Sequence, residues 1–429
     1  MARSWLDIDP SSDFSLANIP FGIIDTPEDV TRHVGVAIGS YVLDLKELAH
    51  RIGANNLLPF GAHSTPGVFE TRTLNAFAKL GRSVHRHVRE RIQDLLSENT
   101  SCPHLLRDNA ELREKVLWPQ HRVRMFLPMD IGDYTDFYAG YHHAYAVGVM
   151  FRGPANALQP NYTHLPVGYH GRASSIVVSG TPVRRPVGQI LLDPKAEPKQ
   201  PTVAPSRKLD IELELGCFIT KSNDLGHPVS IDEAEKHVFG YVLLNDWSAR
   251  DIQTWEYVPL GPFNGKNFTT TISPWVVLAD ALEPFKTKGI ENPTPLQDYL
   301  KEKREETVFD IQLEVDLTTP DGNTTTITKT NGKNLMWSFP QMIAHHTLGG
   351  CPLRKGDLLG SGTISGPVPE ESGSLLELSE GGKRVIQLNG GEGRTFLKDG
   401  DTVTFRGFCV GKEGERVGFG ECTGRVEGA

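Results

Sequence analysis

The stretch Leu209-Asp-Ile-Glu-Leu-Glu-Leu215 alternates apolar and acidic residues along its whole length. Because successive side chains of a β-strand point to opposite faces, this alternation predicts a strand with one apolar and one acidic face. The stretch Ile311-Gln-Leu-Glu-Val-Asp-Leu317 has a similar pattern and runs into Asp321-Gly322, a dipeptide typical of hairpin turns. With 43 Gly and 29 Pro in 429 residues, these short two-residue periods predict a mainly β (α+β) fold with few helices.

The pattern of apolar, glycine and polar residues divides the chain into a small first part and a larger second part. Residues 34–38 and 41–45 have strand-like patterns, and a helical pattern follows between roughly residues 68 and 96, where apolar residues recur every three or four positions. After Trp118-Pro119 the sequence keeps to strands, glycine turns and polar clusters. We therefore predict a small N-terminal β domain with one long helix at residues 1–119 and a large β domain at residues 120–429.

Composition excludes several classes of protein. Lys and Arg number 44 against 53 Asp and Glu, a net charge of −9, and no Lys/Arg-rich run occurs, so we expect no nucleic acid partner. The five cysteines never form a C-x-x-C pair, which argues against a disulfide framework and a thiolate zinc site. The N-terminus lacks the apolar segment of a signal peptide, and no stretch approaches the ~20 apolar residues of a membrane helix. We expect a cytoplasmic protein with no membrane partner.

The acidic faces of the two alternating strands allow two interpretations. In general such a face is the solvated side of an antiparallel sheet. We assign that role to the second strand, whose hairpin partner is a polar, threonine-rich segment. In the first strand, Glu212 and Glu214 stand only ~6.6–6.8 Å apart on one face. If they were buried they would repel each other unless a cation lay between them. The pattern makes such a site possible and leaves burial open.

A cation held by Glu212 and Glu214 would need further oxygen ligands. The sequence has neither an H-E-x-x-H motif nor a cysteine pair, so calcium or magnesium fits better than zinc. Asp136 and Asp246 are candidates, although an aspartate at a strand end, such as Asp246, is more often a turn former. His143 follows Asp136 by seven residues. If that stretch is helical, the two share a face ~10 Å apart, a suitable distance for a base facing a metal across a substrate.

Two glycine-rich segments do not fit nucleotide-binding motifs. The run Gly261-Pro-Phe-Asn-Gly-Lys-Asn267 has three residues between its glycines and lacks Ser or Thr after the lysine, so it is not a phosphate-binding P-loop. The run Gly360-Ser-Gly-Thr-Ile-Ser-Gly366 misses the G-x-G-x-x-G spacing of dinucleotide sites.

Several uninterrupted motifs identify a family. In chain order they resemble the motifs of the fumarylacetoacetase (fumarylacetoacetate hydrolase) family, and the likeness covers nearly the whole chain. The motifs are Gly132-Asp-Tyr-Thr-Asp-Phe-Tyr138, Leu165-Pro-Val-Gly-Tyr-His-Gly-Arg-Ala-Ser-Ser175, Asn245-Asp-Trp-Ser-Ala-Arg-Asp-Ile-Gln253, Trp255-Glu-Tyr-Val-Pro-Leu-Gly-Pro-Phe263 and Ser361-Gly-Thr-Ile-Ser-Gly366.

The resemblance implies a fold and an activity. It implies a small N-terminal SH3-like barrel at residues 1–119, a catalytic C-terminal β-roll domain at residues 120–429, and a homodimer. The implied reaction is the hydrolysis of a carbon–carbon bond of the β-diketone 4-fumarylacetoacetate, which yields fumarate and acetoacetate in the last step of tyrosine and phenylalanine breakdown. Implied cofactors are Ca²⁺ and/or Mg²⁺.

The resemblance also implies roles for individual residues. It places calcium ligands at Asp136, Glu212, Glu214 and Asp246, and a magnesium site at Asp246, Lys266 and Thr270. It places a general base at His143, oriented by Glu377, with Arg250, Gln253 and Lys266 acting on the oxygens of the reacting groups. Thr269 departs from the family, which commonly has glycine there. Implied substrate contacts are Tyr138, Arg152, Tyr169, Gln253, Tyr257 and Thr363.

Two alternatives remain at this point. One is another activity on the same fold, such as a decarboxylase, a hydratase or an acylpyruvate hydrolase, although those relatives usually lack so large an N-terminal segment. The other is a non-catalytic β protein with a structural calcium site, which would leave His143, Arg250 and Gln253 without a purpose.

Overall fold

The computed structural model describes residues 3–59, 61 and 67–429. Its fold is mixed α+β and mostly β. Within the described residues, no helix is long and apolar enough to cross a bilayer. The helices are short, and their bounds are α1 (Leu45–Ile52), α2 (Asn75–Ala78), α3 (Arg82–Leu96), α4 (Ala110–Val116), α5 (Tyr141–Arg152), α6 (Ile231–Ala234), α7 (Arg250–Glu256), α8 (Ala279–Leu282), α9 (Phe339–Thr347) and α10 (Leu375–Leu378).

The strands fall into two larger sheets and several small ones. The bounds of the first strands are β1 (Phe21–Asp25), β2 (His33–Ile38), β3 (Tyr41–Asp44), β4 (Leu117–Pro119), β5 (Arg124–Phe126), β6 (Tyr134–Phe137), β7 (Gly168–His170), β8 (Ile176–Val178), β9 (Val183–Arg184), β10 (Val187–Leu191), β11 (Pro201–Pro205), β12 (Leu209–Asp210) and β13 (Leu213–Ile219). The later strands are β14 (Val238–Asp246), β15 (Ser248–Ala249), β16 (Thr270–Ile272), β17 (Val277–Leu278), β18 (Lys286–Lys288), β19 (Glu306–Phe309), β20 (Gln312–Thr318), β21 (Thr324–Asn331), β22 (Leu358–Gly360), β23 (Ile386–Gln387), β24 (Gly393–Arg394), β25 (Thr402–Val410) and β26 (Arg416–Glu427).

The N-terminal part forms a five-stranded antiparallel sheet in the order β4-β3-β2-β1-β5. Strand β5 lies beyond residue 119 yet pairs with β1, with Ile23 opposite Phe126, so this sheet extends to Phe126. A core cluster joins its apolar side chains to Phe218 and Val242 of the larger sheet. The N-terminal part therefore packs against one face of that sheet.

The larger central sheet runs in the order β7-β6-β22-β13-β14-β16-β8, with β17 also paired to β14. Strands β13 and β14 are buried along their entire length. A second large sheet, β21-β20-β25-β26-β9, contributes Leu313 and Phe405 to the core on the other side of the central sheet. Because the central sheet is covered on both faces, polar side chains on it are removed from solvent.

Three expectations about local structure need correction. The prediction of one long helix between residues 68 and 96 is wrong in its first part, because between residue 68 and Gly81 the chain forms only the short helix α2. Gly81, with a φ of +84°, separates α2 from α3. The seven residues from Asp136 to His143 are not one helix, because Asp136 lies in β6 and α5 begins only after Gly140. The predicted strand at residues 209–215 is divided into β12 and β13.

Candidate active site

Three strands of the central sheet, β6, β13 and β14, deliver acidic side chains to the same end of the sheet. Asp136 lies in β6, Glu214 is the second residue of β13, and Asp246 is the last residue of β14. Glu212 directly precedes β13. Since β13 and β14 are antiparallel, the start of one meets the end of the other, with Leu213 opposite Asn245. Between β6 and β13 runs β22, whose Gly360 is the register partner of Asp136.

The four carboxylates form one compact, buried cluster. One oxygen from each of Asp136, Glu212, Glu214 and Asp246 lies within 4.8 Å of the others. None of the four residues is exposed by more than 6%. A group of like charges this close in a protein interior requires compensating positive charge.

Part of that compensation comes from two buried cations. Lys266 Nζ donates to both Glu212 and Asp246. The Arg250 guanidinium donates to Glu212 at 2.9 Å. Two neutral donors assist, because Tyr169 Oη lies 3.2 Å and Thr270 Oγ1 3.3 Å from separate oxygens of Asp246. Lys266, Thr270 and Tyr169 therefore surround Asp246.

The pKa values of the cluster show that this compensation is uneven. Burial raises the pKa of Glu212, but the nearby Lys266 and Arg250 outweigh it and lower the value to about 2. For Asp136 and Glu214, burial and then the neighbouring carboxylates raise the pKa well above the ordinary range. Asp246 also has a raised pKa, caused first by burial. The side of the cluster away from Lys266 therefore lacks positive charge.

The donor set on that side fits a hard divalent cation. Asp136 Oδ1 and Glu214 Oε1 are buried and have no hydrogen-bond partner within the described residues. The four ligands offer only carboxylate oxygens, the donor type that calcium and magnesium take. Buried acceptors without donors are rare in proteins unless an ion or water completes them. The cluster could therefore hold a divalent metal ion, as the sequence predicted.

A histidine–glutamate pair faces this cluster. His143, on α5, is buried and its Nδ1 lies 2.6 Å from Glu377 Oε2 on α10, while its Nε2 lies 3.9 Å from Glu212 Oε1. Glu377 also accepts hydrogen bonds from the hydroxyls of Ser374 at 2.7 Å and Ser365 at 3.1 Å. Burial raises the pKa of Glu377, but its interactions with His143 and the two serine hydroxyls outweigh burial and lower the pKa, so Glu377 is a carboxylate at neutral pH.

Arg250 connects several predicted residues. It is buried, and its Nη1 donates to Gln253 Oε1 at 3.2 Å as well as to Glu212. Its Nη2 is buried without a partner in the described part of the chain. Tyr138 packs edge-to-face on His143 with ring centroids 5.6 Å apart. These contacts bring Arg250, Gln253, Tyr138 and His143 around the carboxylates.

The remaining predicted substrate residues lie at the rim or make no polar contact with the cluster. Thr363 is buried, and its Oγ1 has no partner among the described residues. Arg152 is exposed at the end of α5, where it donates to the carbonyls of Asn156 and Ala157. Tyr257 follows α7 and is 43% exposed. Thr269, where the resemblance implies glycine, donates to the carbonyl of Phe268 at 2.6 Å rather than to a carboxylate.

Two residues of the site were missed by reasoning from the sequence. Asp210 is fully buried and bonds to Arg250, and its membership of the acidic face of residues 209–215 was the available signal. Gly360 lies against the cluster, where a Cβ would come within 2.9 Å of Asp136 Oδ1 and 3.0 Å of Glu214 Oε2. Nothing in the sequence alone distinguishes Gly360 from the chain's many turn glycines.

The chain matches both family models of this group along nearly its full length. Residues 17–128 match the fumarylacetoacetase N-terminal model, and residues 134–427 match the fumarylacetoacetate (FAA) hydrolase C-terminal model. The chain therefore belongs to the fumarylacetoacetase family.

Whole-chain relatives support the same family. The chain is 60% identical over 425 residues to a fumarylacetoacetase of Aspergillus fumigatus, covering 99% of this chain and 98% of that protein. It is 50% identical to a fumarylacetoacetase of Caenorhabditis elegans, with 99% of each chain covered. It is 48% identical to a fumarylacetoacetase of Bos taurus, with 99% of this chain and 98% of that one covered.

A solved structure shares the fold. The fumarylacetoacetate hydrolase from psychrophilic Exiguobacterium antarcticum superposes with a TM-score of 0.53 at 16% identity, covering 96% of this chain and all of that one. At this identity the similarity concerns the fold alone.

Proposed function

We propose that this chain hydrolyses a carbon–carbon bond of 4-fumarylacetoacetate to give fumarate and acetoacetate, the last step of tyrosine and phenylalanine breakdown. It is a hydrolase of carbon–carbon bonds in ketonic substances. The observation that carries this proposal is the 60% identity to a fumarylacetoacetase over 99% of the chain. In the structure of this chain, the His143–Glu377 pair faces the four-carboxylate cluster, which agrees with the proposal.

A divalent cation held by Asp136, Glu212, Glu214 and Asp246 would act as a Lewis acid toward the diketone oxygens and the enolate charge of the leaving fragment. Lys266 and Thr270, both bonded to Asp246, fit the magnesium site that the family resemblance implies. The buried acceptors on Asp136 and Glu214 support calcium, magnesium or both at this place.

His143 fits the role of general base toward a water molecule. Because Glu377 accepts a hydrogen bond at Nδ1, the neutral imidazole carries its proton there and leaves the Nε2 lone pair directed toward the cluster. Water loses a proton to Nε2 as its oxygen bonds to the carbonyl carbon. The carbon–carbon bond then breaks, its electron pair goes to the acetoacetate fragment, and that fragment takes the proton from His143 Nε2, which restores the neutral base.

Charge on the attacked carbonyl oxygen needs hydrogen-bond donors that are already in place. Arg250 Nη2 is such a donor, since it is buried and makes no hydrogen bond within the described residues. Two further polar residues lie nearby. Lys266 bonds to Glu212, which also contacts Arg250, and Gln253 accepts a hydrogen bond from Arg250 itself. Removing one donor of this kind typically costs ~3–4 kcal/mol in the barrier.

The two ends of the substrate carry carboxylates, which need hydrogen-bond donors from the protein. The residues predicted to contact the substrate can supply such donors. We assign substrate contacts within the site to Tyr138, Tyr169, Gln253 and Thr363, and contacts toward its rim to Arg152 and Tyr257. Burial and then nearby Glu212 raise the pKa of the Tyr138 hydroxyl, which keeps it a hydrogen-bond donor at neutral pH.

Several finer expectations belong to this proposal. We propose a homodimer in the cytoplasm without nucleic acid or membrane partners, and a division into residues 1–119 and 120–429. We also propose that the N-terminal sheet is an SH3-like barrel and that the larger part is a β-roll. The homodimer, the barrel and the β-roll rest on the family resemblance. The location and the excluded partners rest on the charge balance and apolar pattern of the sequence, and the division rests on the change of pattern after Pro119.

The direct test is the loss of the diketone absorbance of fumarylacetoacetate on addition of the purified protein. We expect turnover with calcium or magnesium, loss of turnover with excess chelator, and recovery on adding the metal back. Absence of turnover in the presence of added metal would contradict the proposed function.

A further inference from the structure

Asp210 joins two parts of the site that are more than a hundred residues apart in sequence. Its side chain is fully buried. Oδ1 accepts hydrogen bonds from the backbone N–H groups of Ile211 and Leu375, each at 2.7 Å. Oδ2 accepts from Arg250 Nε at 2.7 Å and from the Leu376 N–H at 3.0 Å. Each oxygen therefore bonds to the segment that begins α10, and one of them also bonds to Arg250.

On one side, Asp210 fixes the guanidinium of Arg250. With Nε bonded to Asp210 and Nη1 bonded to Glu212 at 2.9 Å, the plane of the guanidinium is held along two edges. The remaining nitrogen, Nη2, is buried and makes no hydrogen bond within the described residues. Asp210 thus determines where this free donor points.

On the other side, Asp210 fixes the backbone that carries Glu377. Leu375 and Leu376 directly precede Glu377, which bonds to His143 Nδ1 at 2.6 Å. A displacement of this turn would move the Glu377 carboxylate and change the orientation of the imidazole. The carboxylate of Asp210 therefore holds in place both the Arg250 guanidinium and the segment whose Glu377 orients His143, the proposed base.

We propose that Asp210 is a positioning residue, which holds the Arg250 guanidinium and the His143–Glu377 pair in one relative geometry for the reaction. This inference rests on the proposed function, in which His143 is the base. Asp210 acts through Arg250 and Glu377 and is assigned no contact with the substrate. Residues that orient the groups around a metal site typically contribute about tenfold to hundredfold to activity.

The chain offers a matched control. Asp401 is also fully buried, accepts from Arg394 Nε and Nη2 at 2.9 Å each, and accepts a backbone N–H from Lys398 at 2.8 Å. Its partners belong to no part of the proposed site. Losing the Asp401 ion pair tests the general cost of breaking a buried aspartate–arginine pair in this protein.

The experiment compares D210N with D401N and the wild-type protein in turnover of fumarylacetoacetate, thermal midpoint and bound metal. An asparagine has nearly the same size, but its amide nitrogen faces either Arg250 Nε or the N–H group of Leu375, so one arm of the network is lost. We expect kcat of D210N to fall about tenfold to hundredfold with wild-type metal content, and KM to change far less. In D401N, kcat stays at the wild-type value.

A double-variant cycle separates positioning from general destabilisation. If Asp210 acts through Glu377, the kcat of D210N/E377Q falls by less than the product of the two single losses. If D210N does not fold, the same measurements are made on D210E, which keeps the charge and shifts the carboxylate by one methylene. A wild-type kcat in the folded Asp210 variant, or losses that multiply in the cycle, would overturn the inference. Absence of wild-type turnover would instead reject the proposed function.

Discussion

At the scale of residues, the two acidic strands show what a pattern of side chains determines and what it does not. Glu214 and Glu314 lie in similar alternating sequences. Glu214 is fully buried in the cluster, whereas Glu314 is half-buried in β20 and pairs with Lys329 at 3.0 Å. The alternation predicted the shared face in both cases, and the hairpin partner correctly indicated solvent for Glu314. Burial of Glu214 depends on what packs over the sheet, which local sequence does not contain.

Replacement of His143 by alanine tests the proposed base. We expect H143A to lose turnover by about a hundredfold to ten-thousandfold, because general-base catalysis contributes that much. Metal content stays at the wild-type level, since His143 is not one of the four clustered ligands. The neighbouring H142A on the same helix is the control and keeps wild-type turnover. Retained activity in H143A would contradict the assignment of the base.

Glu214→Ala tests the acidic cluster itself. Removing one of four buried carboxylates leaves an incomplete set of oxygen ligands, so bound divalent metal falls below the wild-type amount. Elemental analysis of the purified protein measures this directly. E314A, on the solvated strand, is the control and changes neither metal content nor turnover. Loss of metal in E314A would mean that the wrong acidic strand was assigned to the site.

At the scale of elements, the site depends on the ends of several strands, which meet at one end of the central sheet. The sequence indicated that a strand ends at Asp246, and β14 confirms this. It did not indicate that β22 would run between β6 and β13, because strand order is set by contacts between distant parts of the chain. The sequence left open whether the stretch from Asp136 to His143 is helical, and pairing with β22 holds Asp136 in an extended strand.

Gly360→Ala tests whether β22 must lack a side chain beside the carboxylates. A Cβ at this position would come within 2.9 Å of Asp136 Oδ1 and 3.0 Å of Glu214 Oε2, so these two oxygens must move. We expect affinity for calcium or magnesium, measured by calorimetric titration, to fall about tenfold or more. A Cβ added at Gly349 would meet no atom within 4 Å, so G349A is the control and should bind the metal normally. Equal affinities in both variants would reject this role of Gly360.

At the scale of the whole molecule, the N-terminal part contributes to the burial of the central sheet. The ring of Phe77 in α2 lies 6.0 Å from that of Phe239 in β14, and the His85 ring of α3 lies 4.9 Å from Phe239. Arg82 of α3 pairs with Asp280 of α8 at 2.9 Å. The sequence predicted a small N-terminal β part with a helix. It could not predict that this part covers the sheet, because the contacts join residues far apart in the chain.

Burial of the acidic cluster predicts that the stability of the whole protein depends on both divalent metal and pH. Folding raises the pKa of Asp136, Glu214 and Asp246, with burial as the first cause. A raised carboxyl pKa favours the folded state while the group is protonated, and this contribution is lost as pH rises through the folded pKa. Ionising these buried carboxyls in the metal-free protein therefore costs free energy, and a bound cation offsets that cost.

We therefore expect a chelator to lower the thermal midpoint at neutral pH, and added calcium or magnesium to restore it. The difference between metal-free and metal-loaded protein should shrink as pH falls toward the ordinary carboxyl range near about 4, because protonated carboxyls neither repel one another nor hold the cation. Calorimetric scans at several pH values, with and without chelator, measure this difference. E314A should follow the wild-type protein, and E214A should lose most of the metal-dependent increase. A metal effect that is constant over this pH range would show that the buried carboxylates are not what couples the metal to folding.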